Sequence, residues 1–192
     1  LYALEASLAF INRRRDEVQE FIDAALEEAP NYGDAYAIPG YFASITRFYE
    51  ESGEFYEQAV AIEPENWNAH LELGQNYLRL NRIEAGIEHV RISYEGDGFN
   101  PKTLNMMRLL DTFSEDFVDL SFPEPPQGNG IPELVLRLDR DEVDVITPYA
   151  RELAESSMAT FEERYGFEAR EPVIVEIFPN HEDFVVRSIG MP

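Results

Sequence analysis

Histidine side chains are the groups in this chain that most readily bind a metal or move a proton. His181-Glu182 begins like HExxH, the motif in which two histidines one helical turn apart bind zinc and the glutamate activates a water. The fifth position is Val185, so the second ligand is missing. His70 and His89 fall on the two helices of one predicted hairpin, His70 at a packing position and His89 on a solvated face. We therefore predict no metal site in this chain.

Other catalytic arrangements are also missing from the sequence. There is no cysteine, which excludes disulfides and thiolate metal sites. We find no serine elbow, phosphate-binding loop or dinucleotide fingerprint. Carboxylate pairs such as Glu27-Glu28 and Glu162-Glu163 are common in a chain this acidic, and we expect them on solvated faces. The sequence predicts neither a catalytic residue nor a cofactor for this chain.

The charge balance limits the partners and leaves the compartment open. The chain has 38 acidic and 15 basic residues, a net charge of −23, and Lys102 is its single lysine. Such a polyanion repels phosphate backbones, so we exclude nucleic acid as a partner. The acid excess suits a salty environment that screens self-repulsion, and the arginine bias equally fits a GC-rich genome. No apolar run is long enough to span a membrane. A cytoplasmic and a periplasmic or exported location both stay open, since the helical pattern begins at Leu1 and we expect a longer parent protein.

The first half of the chain repeats with a period of 34 residues. Small residues recur where two helices must approach closely, bulky residues recur between them, and a proline ends the first two units. The aligned positions are Tyr2/Tyr36/His70, Ala6/Gly40/Gly74, Ile22/Tyr56/Val90, Ala25/Ala59/Ser93 and Pro30/Pro64. This period and order of residue sizes resemble the tetratricopeptide repeat. We predict a tetratricopeptide α-solenoid of about three helical hairpins, whose middle hairpin is irregular because of Pro39 and Gly53.

A further amphipathic helix is predicted at Lys102–Phe113, where it caps the last hairpin. A cap is needed because each repeat buries its face only against a neighbour. Met106 and Met107 are expected to fill the core of this cap. The next stretch, Ser121–Pro132, holds four prolines and two glycines and is predicted to be a linker.

The pattern after the linker changes to a small α/β segment. We predict a strand at Glu133–Leu138, a helix from Asp141 to Tyr165, a strand at Pro172–Phe178 and a short helix from His181. The apolar face of the long helix is predicted to be Val145, Tyr149, Leu153, Met158 and Phe161. The predicted fold class is therefore mainly α. Its ranges are a helical array with cap at 1–120, a linker at 121–132 and an incomplete strand-helix-strand-helix segment at 133–192.

Two stretches carry a second resemblance. The run DGFNPKTLNMMRLL from Asp97 and the run RYGFEAREPVIVEIFPNHEDFVVRSIGMP from Arg164 to Pro192 resemble tetratricopeptide proteins with a peptidase MA-like domain. Those proteins are gluzincin-type zinc metallohydrolases. The resemblance implies that the parent continues past Pro192 into a strand and a helix with HExxH, followed by a further glutamate. It implies zinc as the cofactor of the parent.

The expected role of this chain is thus a non-catalytic scaffold or protein-interaction part of a larger protein that resembles a zinc metallopeptidase. The alternative is a structural, self-associating repeat module with no enzymatic parent. Two strands are too few for a stable sheet and leave unpaired edges, so we expect the segment either to pair with another copy, giving a homo-oligomer, or to dock onto the helical array.

The predicted binding surface is the concave groove lined by the first helix of each hairpin. Its residues are Leu4, Leu8, Ile11 and Asn12, then Asp34, Tyr41, Ser44 and Ile45, then Asn68, Leu71, Gln75 and Arg79. Arrays that bind a peptide C-terminal carboxylate have lysine and asparagine at such positions, whereas Arg79 is the single positive charge here. We therefore disfavour carboxylate-tail binding. The groove is expected to hold either a protein or peptide partner or the C-terminal part of the chain itself.

Overall fold

A computed structural model describes residues 1–122, 134–166, 169 and 172–190. It divides into two compact units, Leu1–Met107 and Arg108–Pro192. The described residues are mainly helical, which confirms the predicted fold class. Within these ranges, no helix has the length and apolar character needed to cross a membrane. The boundary between the units falls inside a helix, and the domain ranges drawn from the sequence stay a prediction.

The first unit consists of paired helices followed by one further helix. The bounds are α1 Tyr2–Ile11, α2 Arg15–Glu28, α3 Asp34–Ile45, α4 Tyr49–Ile62, α5 Trp67–Arg79, α6 Ile83–Gly96 and α7 Pro101–Asp116. The pairs α1–α2, α3–α4 and α5–α6 form three hairpins, and α1 also packs on α3 and α4 on α5. The second helix of every hairpin has 14 residues, so the predicted irregularity of the middle hairpin is wrong. Because α3 accommodates the buried Pro39 near its first turns, the helix continues to Ile45.

The turn between the two helices of each hairpin has the same geometry three times. A residue with positive φ ends the first helix, and the three residues, Arg13, Arg47 and Asn81, are spaced 34 apart with φ of 60°, 67° and 56°. The next N–H donates to a carbonyl five residues back, as in a Schellman turn. These bonds are Arg14 to Ala9 (2.9 Å), Phe48 to Ala43 (2.9 Å) and Arg82 to Tyr77 (2.8 Å). The repeat is therefore one of backbone conformation as well as of residue size.

Helix α7 lies against the third hairpin, as predicted for a cap. Lys102 Nζ is 2.5 Å from Glu72 Oε1 in α5, and the hydroxyls of Thr103 and Ser93 in α6 are 3.3 Å apart. Met106 and Met107 are 1% and 8% exposed, which confirms that they fill core space.

The second unit contains a sheet of three described strands, β1 Phe117–Phe122, β2 Leu134–Asp139 and β3 Val173–Ile177, in the order β1-β2-β3. β1 is antiparallel and β3 parallel to β2. The linker predicted from Ser121 therefore began too early, since Ser121 and Phe122 belong to β1, while residues 123–132 lie outside the described ranges. The alternation FVDLSF places Leu120 and Phe122 on the core of β2, which gives the sheet a strand that we did not predict.

Helix α8, Val143–Tyr165, covers one face of this sheet, and α9, His181–Ile189, follows β3. The residues of α8 that pack on Leu134, Leu136 and Leu138 are Val143, Ile146, Ala150, Ala154 and Met158. Of the predicted apolar face only Met158 is among them. Small side chains at 150 and 154 let the helix approach the strands closely, so the larger side chains at 145, 149 and 153 point elsewhere.

A chain of ionic contacts crosses the opposite side of the sheet from strand to strand. Arg137 in β2 donates to both carboxylate oxygens of Asp119 in β1 and to Glu176 Oε1 in β3, each at 2.8 Å. Arg187 in α9 is 2.9 Å from Glu176 Oε2. Burial lowers the pKa of Arg137, but the bonds and charges of Asp119 and Glu176 outweigh it and raise the pKa above its usual value.

Candidate functional site

Most of the predicted groove residues are exposed. Leu4, Leu8, Tyr41 and Ile45 are 50%, 56%, 50% and 55% exposed, and Ile11 is 44% exposed. Asn12, Asn68 and Arg79 are exposed as well. Large apolar side chains on a surface of this kind mark an interaction site more often than isolated ones do. Their role in binding stays a prediction.

Two of the predicted groove residues are buried. Leu71 is 0% and Gln75 is 3% exposed, so neither lines an open surface. Both lie in α5, which also meets α7 through the ion pair of Glu72 and Lys102. The predicted groove thus changes character along the array, from exposed apolar side chains on α1 and α3 to buried and polar ones on α5.

The 34-residue register separates two faces of α1. Leu8 corresponds to Asn76, which is buried and donates from Nδ2 to the carbonyl of Tyr49 in α4 at 2.7 Å. Leu8 therefore occupies the position at which a first helix packs on the hairpin before it. The remaining exposed side chains, Leu4 and Ile11 on α1 and Tyr41 and Ile45 on α3, form what we call the apolar helix-A surface.

Ion pairs join neighbouring hairpins near their turns. Arg15 at the start of α2 is 3.6 Å from Glu51, and Arg82 before α6 is 2.9 Å from Glu50, both in α4. All four side chains are more than a third exposed, so each pair contributes little to stability.

The structure brings His70 and His89 together in the third hairpin. Their Nδ1 atoms are 2.9 Å apart, and His89 is half-buried instead of lying on a solvated face as predicted. The reason is that Tyr77 packs beside its ring, with the two ring centroids 5.6 Å apart. Trp67 stacks on His70 at 6.4 Å. The pair is thus embedded in aromatic side chains between α5 and α6.

The hydrogen bonds assign the tautomers of this pair. His70 Nε2 is 3.2 Å from the carbonyl oxygen of Pro64, which can only accept, so Nε2 of His70 carries the proton. Its Nδ1 is then the acceptor, and His89 donates from Nδ1. Burial lowers the pKa of His70, and the neighbouring His89 lowers it further, whereas the hydrogen bond to the Pro64 carbonyl acts to raise it. Burial also lowers the pKa of His89, whereas the negative charges of Glu88 and Glu57 act to raise it.

His181 lies apart from this pair, at the first position of α9. Asn180 caps the helix by accepting from the N–H of Asp183 at 2.8 Å. A depression of about 400 Å³ beside it is lined by Glu176, Ile177, Phe178, Pro179, Asn180, His181 and Phe184. Throughout the described part of the chain, no group of three or more His, Cys, Asp or Glu side chains is arranged to hold a metal ion. The carboxylate pairs at 27–28 and 162–163 are exposed, as predicted.

The comparisons with known proteins give little beyond the fold. No protein-family model matches the chain, and no curated protein sequence matches it. Among solved structures, a mutant O-GlcNAc transferase from Thermobaculum terrenum is similar with a TM-score of 0.44 and 16% identity. The similarity covers 59% of this chain and 23% of that protein, so the chain spans about a quarter of its length. The solenoid assignment therefore depends on the hairpins of this chain itself, and no comparison supports the peptidase resemblance.

Proposed function

We propose that the helical array is a protein-interaction module that binds an apolar segment of a partner on the apolar helix-A surface. The observation that carries this proposal is the exposure of Leu4, Ile11, Tyr41 and Ile45, which are each between 44% and 55% exposed on helices that pack on each other. Tyrosine is among the residues that contribute most to binding free energy at protein interfaces, and aliphatic side chains contribute through the apolar area that a partner removes from water.

The charge around this surface favours an apolar ligand over a charged one. Arg15 is already paired with Glu51 and lies 3.9 Å above the ring of Phe10, so it is occupied within the array. Arg79 is exposed but lies near the ring of Tyr49, at 5.7 Å. A carboxylate clamp needs several positive groups, and Arg79 is the single one among the side chains of the predicted groove.

The proposal can be tested with a random peptide library displayed on phage and selected against the chain. Selected peptides are expected to be rich in apolar residues and to bind the variant Tyr41→Ser/Ile45→Ser at least about tenfold more weakly by fluorescence anisotropy. The matched control is Tyr32→Ser/Phe99→Ser, because these side chains are also exposed, at 40% and 99%, but lie off the surface. The control variant should bind the same peptides with unchanged affinity.

Two results would contradict this function. Equal weakening in both variants would show that binding does not depend on the apolar helix-A surface. A dimer in light scattering that dissociates in the Tyr41→Ser/Ile45→Ser variant would instead support the self-associating module.

We further propose that the module belongs to a zinc metallopeptidase parent. The support is that Arg164–Pro192 resembles proteins with a peptidase MA-like domain. Within this stretch, β3 and α9 lie where the sequence predicted a strand and a helix. In such a parent zinc would be bound outside this chain, which contains no HExxH. Reading the parent gene beyond Pro192 tests this directly, since the absence of HExxH there would refute it. For this chain alone, stoichiometric zinc or measurable peptide hydrolysis would contradict its non-catalytic role.

A further inference from the structure

Helix α8 carries a row of large apolar side chains that are exposed. Val145, Tyr149 and Leu153 are 65%, 74% and 71% exposed, and they follow one another at intervals of four residues. Residues four apart lie on the same side of a helix, one turn above the other. We call these three residues the α8 ridge. Its side chains are among the most exposed large apolar groups in the described residues.

The ridge lies beside the face of α8 that stabilises the sheet. Ile146, Ala150, Ala154 and Met158 pack on the strands. At 100° per residue, Tyr149 lies about 100° around the helix from Ala150, the middle of that face. The apolar residues of α8 thus extend around more than half of the helix, and the sheet residues pack on only part of this arc. An apolar arc of this width is typical of a helix that packs between two neighbours.

We infer that the α8 ridge is the docking site of a basic amphipathic helix from a partner protein. A continuous row at intervals of four fits the groove between the rows of a second α-helix, which is the commonest form of helix packing. The spacing along the row therefore fits a helical partner.

The charges beside the ridge indicate that the partner helix is positively charged. α8 has five acidic and two basic residues. Glu152, which lies within the row, is about 60° around the helix from Tyr149. One of the two basic residues, Arg151, is paired with Glu155 at 2.7 Å and lies 4.4 Å above the ring of Phe122, on the sheet side. A second copy of this chain would bring acidic side chains against acidic ones, whereas a lysine-rich helix would complement them.

The test uses the full chain and a synthetic 18-residue peptide of leucine and lysine arranged with helical amphipathic spacing. A scrambled peptide of the same composition measures non-specific attraction to this acidic protein. We expect the amphipathic peptide to bind at least about tenfold more tightly than the scrambled one by fluorescence anisotropy at 0.15 M salt.

Variants of the chain then locate the site. Tyr149→Ala/Leu153→Ala is expected to reduce the preference for the amphipathic peptide at least about tenfold. The matched control is Phe161→Ala/Tyr165→Ala on the same helix, where both side chains are exposed but lie off the ridge. It should keep the preference, and circular dichroism should show both variants folded. Equal binding of the two peptides, or equal loss in both variants, would overturn the inference. A dimer that dissociates in the first variant would assign the ridge to self-association and overturn it too.

Discussion

Gly74 in α5 and Gly86 in α6 meet backbone to backbone. A Cβ atom added to Gly74 would lie 2.9 Å from the carbonyl oxygen of Gly86, and one added to Gly86 would lie 3.0 Å from that of Gly74. Real Cβ atoms do not approach a neighbouring backbone so closely, so the two helices would have to separate. This contact is the physical reason for the small residue at that position of the repeat.

Gly74→Ala should therefore destabilise the array although alanine is the better helix former. We expect the free energy of unfolding to fall by about 1–3 kcal/mol in urea titrations followed by circular dichroism. Gly53→Ala in α4 is the matched control, because its new Cβ would meet only Asn76 Nδ2, at 3.7 Å. That variant should gain up to about 1 kcal/mol from helix propensity. A gain in both variants would mean that α5 and α6 are not in backbone contact.

Arg47→Gly should stabilise the middle hairpin. Arg47 is exposed and has a φ of 67°, a conformation that costs an L-residue about 1 kcal/mol and glycine much less. We expect a gain of about 0.5–1 kcal/mol, measured as an increase in Tm. Thr46→Gly, one residue earlier and at negative φ, is the control and should lose stability. A loss in Arg47→Gly as well would argue against the left-handed turn.

The histidine pair predicts a loss of stability in mild acid. The pKa values of His70 and His89 are lowered in the folded state, so the unfolded chain binds protons at higher pH than the folded one. The contribution of the pair is therefore complete above the ordinary histidine pKa near 6.5 and decreases as the pH falls through it. Protonating His70 at Nδ1 would also replace the hydrogen bond from His89 by two N–H groups that face each other, with no acceptor between them.

The measurement is the free energy of unfolding in urea between pH 7.5 and 5.5. His89→Gln keeps a donor for His70 Nδ1 but cannot titrate, so its stability should change less with pH than that of the wild type. The same slope in wild type and His89→Gln would refute the assignment.

Gln75→Met should raise stability. Gln75 is 3% exposed, and neither its amide nitrogen nor its oxygen has a hydrogen-bond partner among the described residues. A buried polar group without a partner costs about 1–3 kcal/mol, and methionine fills nearly the same shape without that cost. The neighbouring Asn76→Leu is the contrast, since it removes the bond to Tyr49 and should destabilise. Thermal unfolding of both variants decides the matter, and a loss of stability in Gln75→Met would contradict this account.

The repeat could be predicted because its evidence is local. Ala6, Gly40 and Gly74 recur at a fixed interval, and a helix boundary depends on nearby residues such as Pro101 and Gly166. The left-handed turns recur at the same interval, but the sequence does not indicate them. Glycine is the residue expected at positive φ, and two of the three positions are Arg13 and Arg47. The irregular middle hairpin was inferred from helix propensity, which tertiary packing overrides.

Contacts between distant residues were beyond the sequence patterns. β1 pairs with β2 across a segment of prolines and glycines, so its strand character depends on a partner far along the chain. Helical spacing in α8 predicted a single apolar face, whereas the residues that pack on the sheet depend on how closely the helix approaches the strands. His70 and His89 meet because α5 and α6 pair, and neither residue alone predicts a 2.9 Å approach.

The ionic contacts of Arg137 make its sheet intolerant of mispairing. Asp119 and Glu176 are the direct partners of Arg137 on the two neighbouring strands. If β1 slipped by one residue along β2, Val118 or Leu120 would face the guanidinium, and a charge that is only 9% exposed would lose one of its two carboxylate partners. Removing one partner from a largely buried ionic contact is destabilising, because the desolvated charge is then compensated less well. Arg137 thus helps to fix the register of all three strands. Its contacts increase the free-energy difference between the native register and one shifted by a residue, beyond what the apolar side chains contribute.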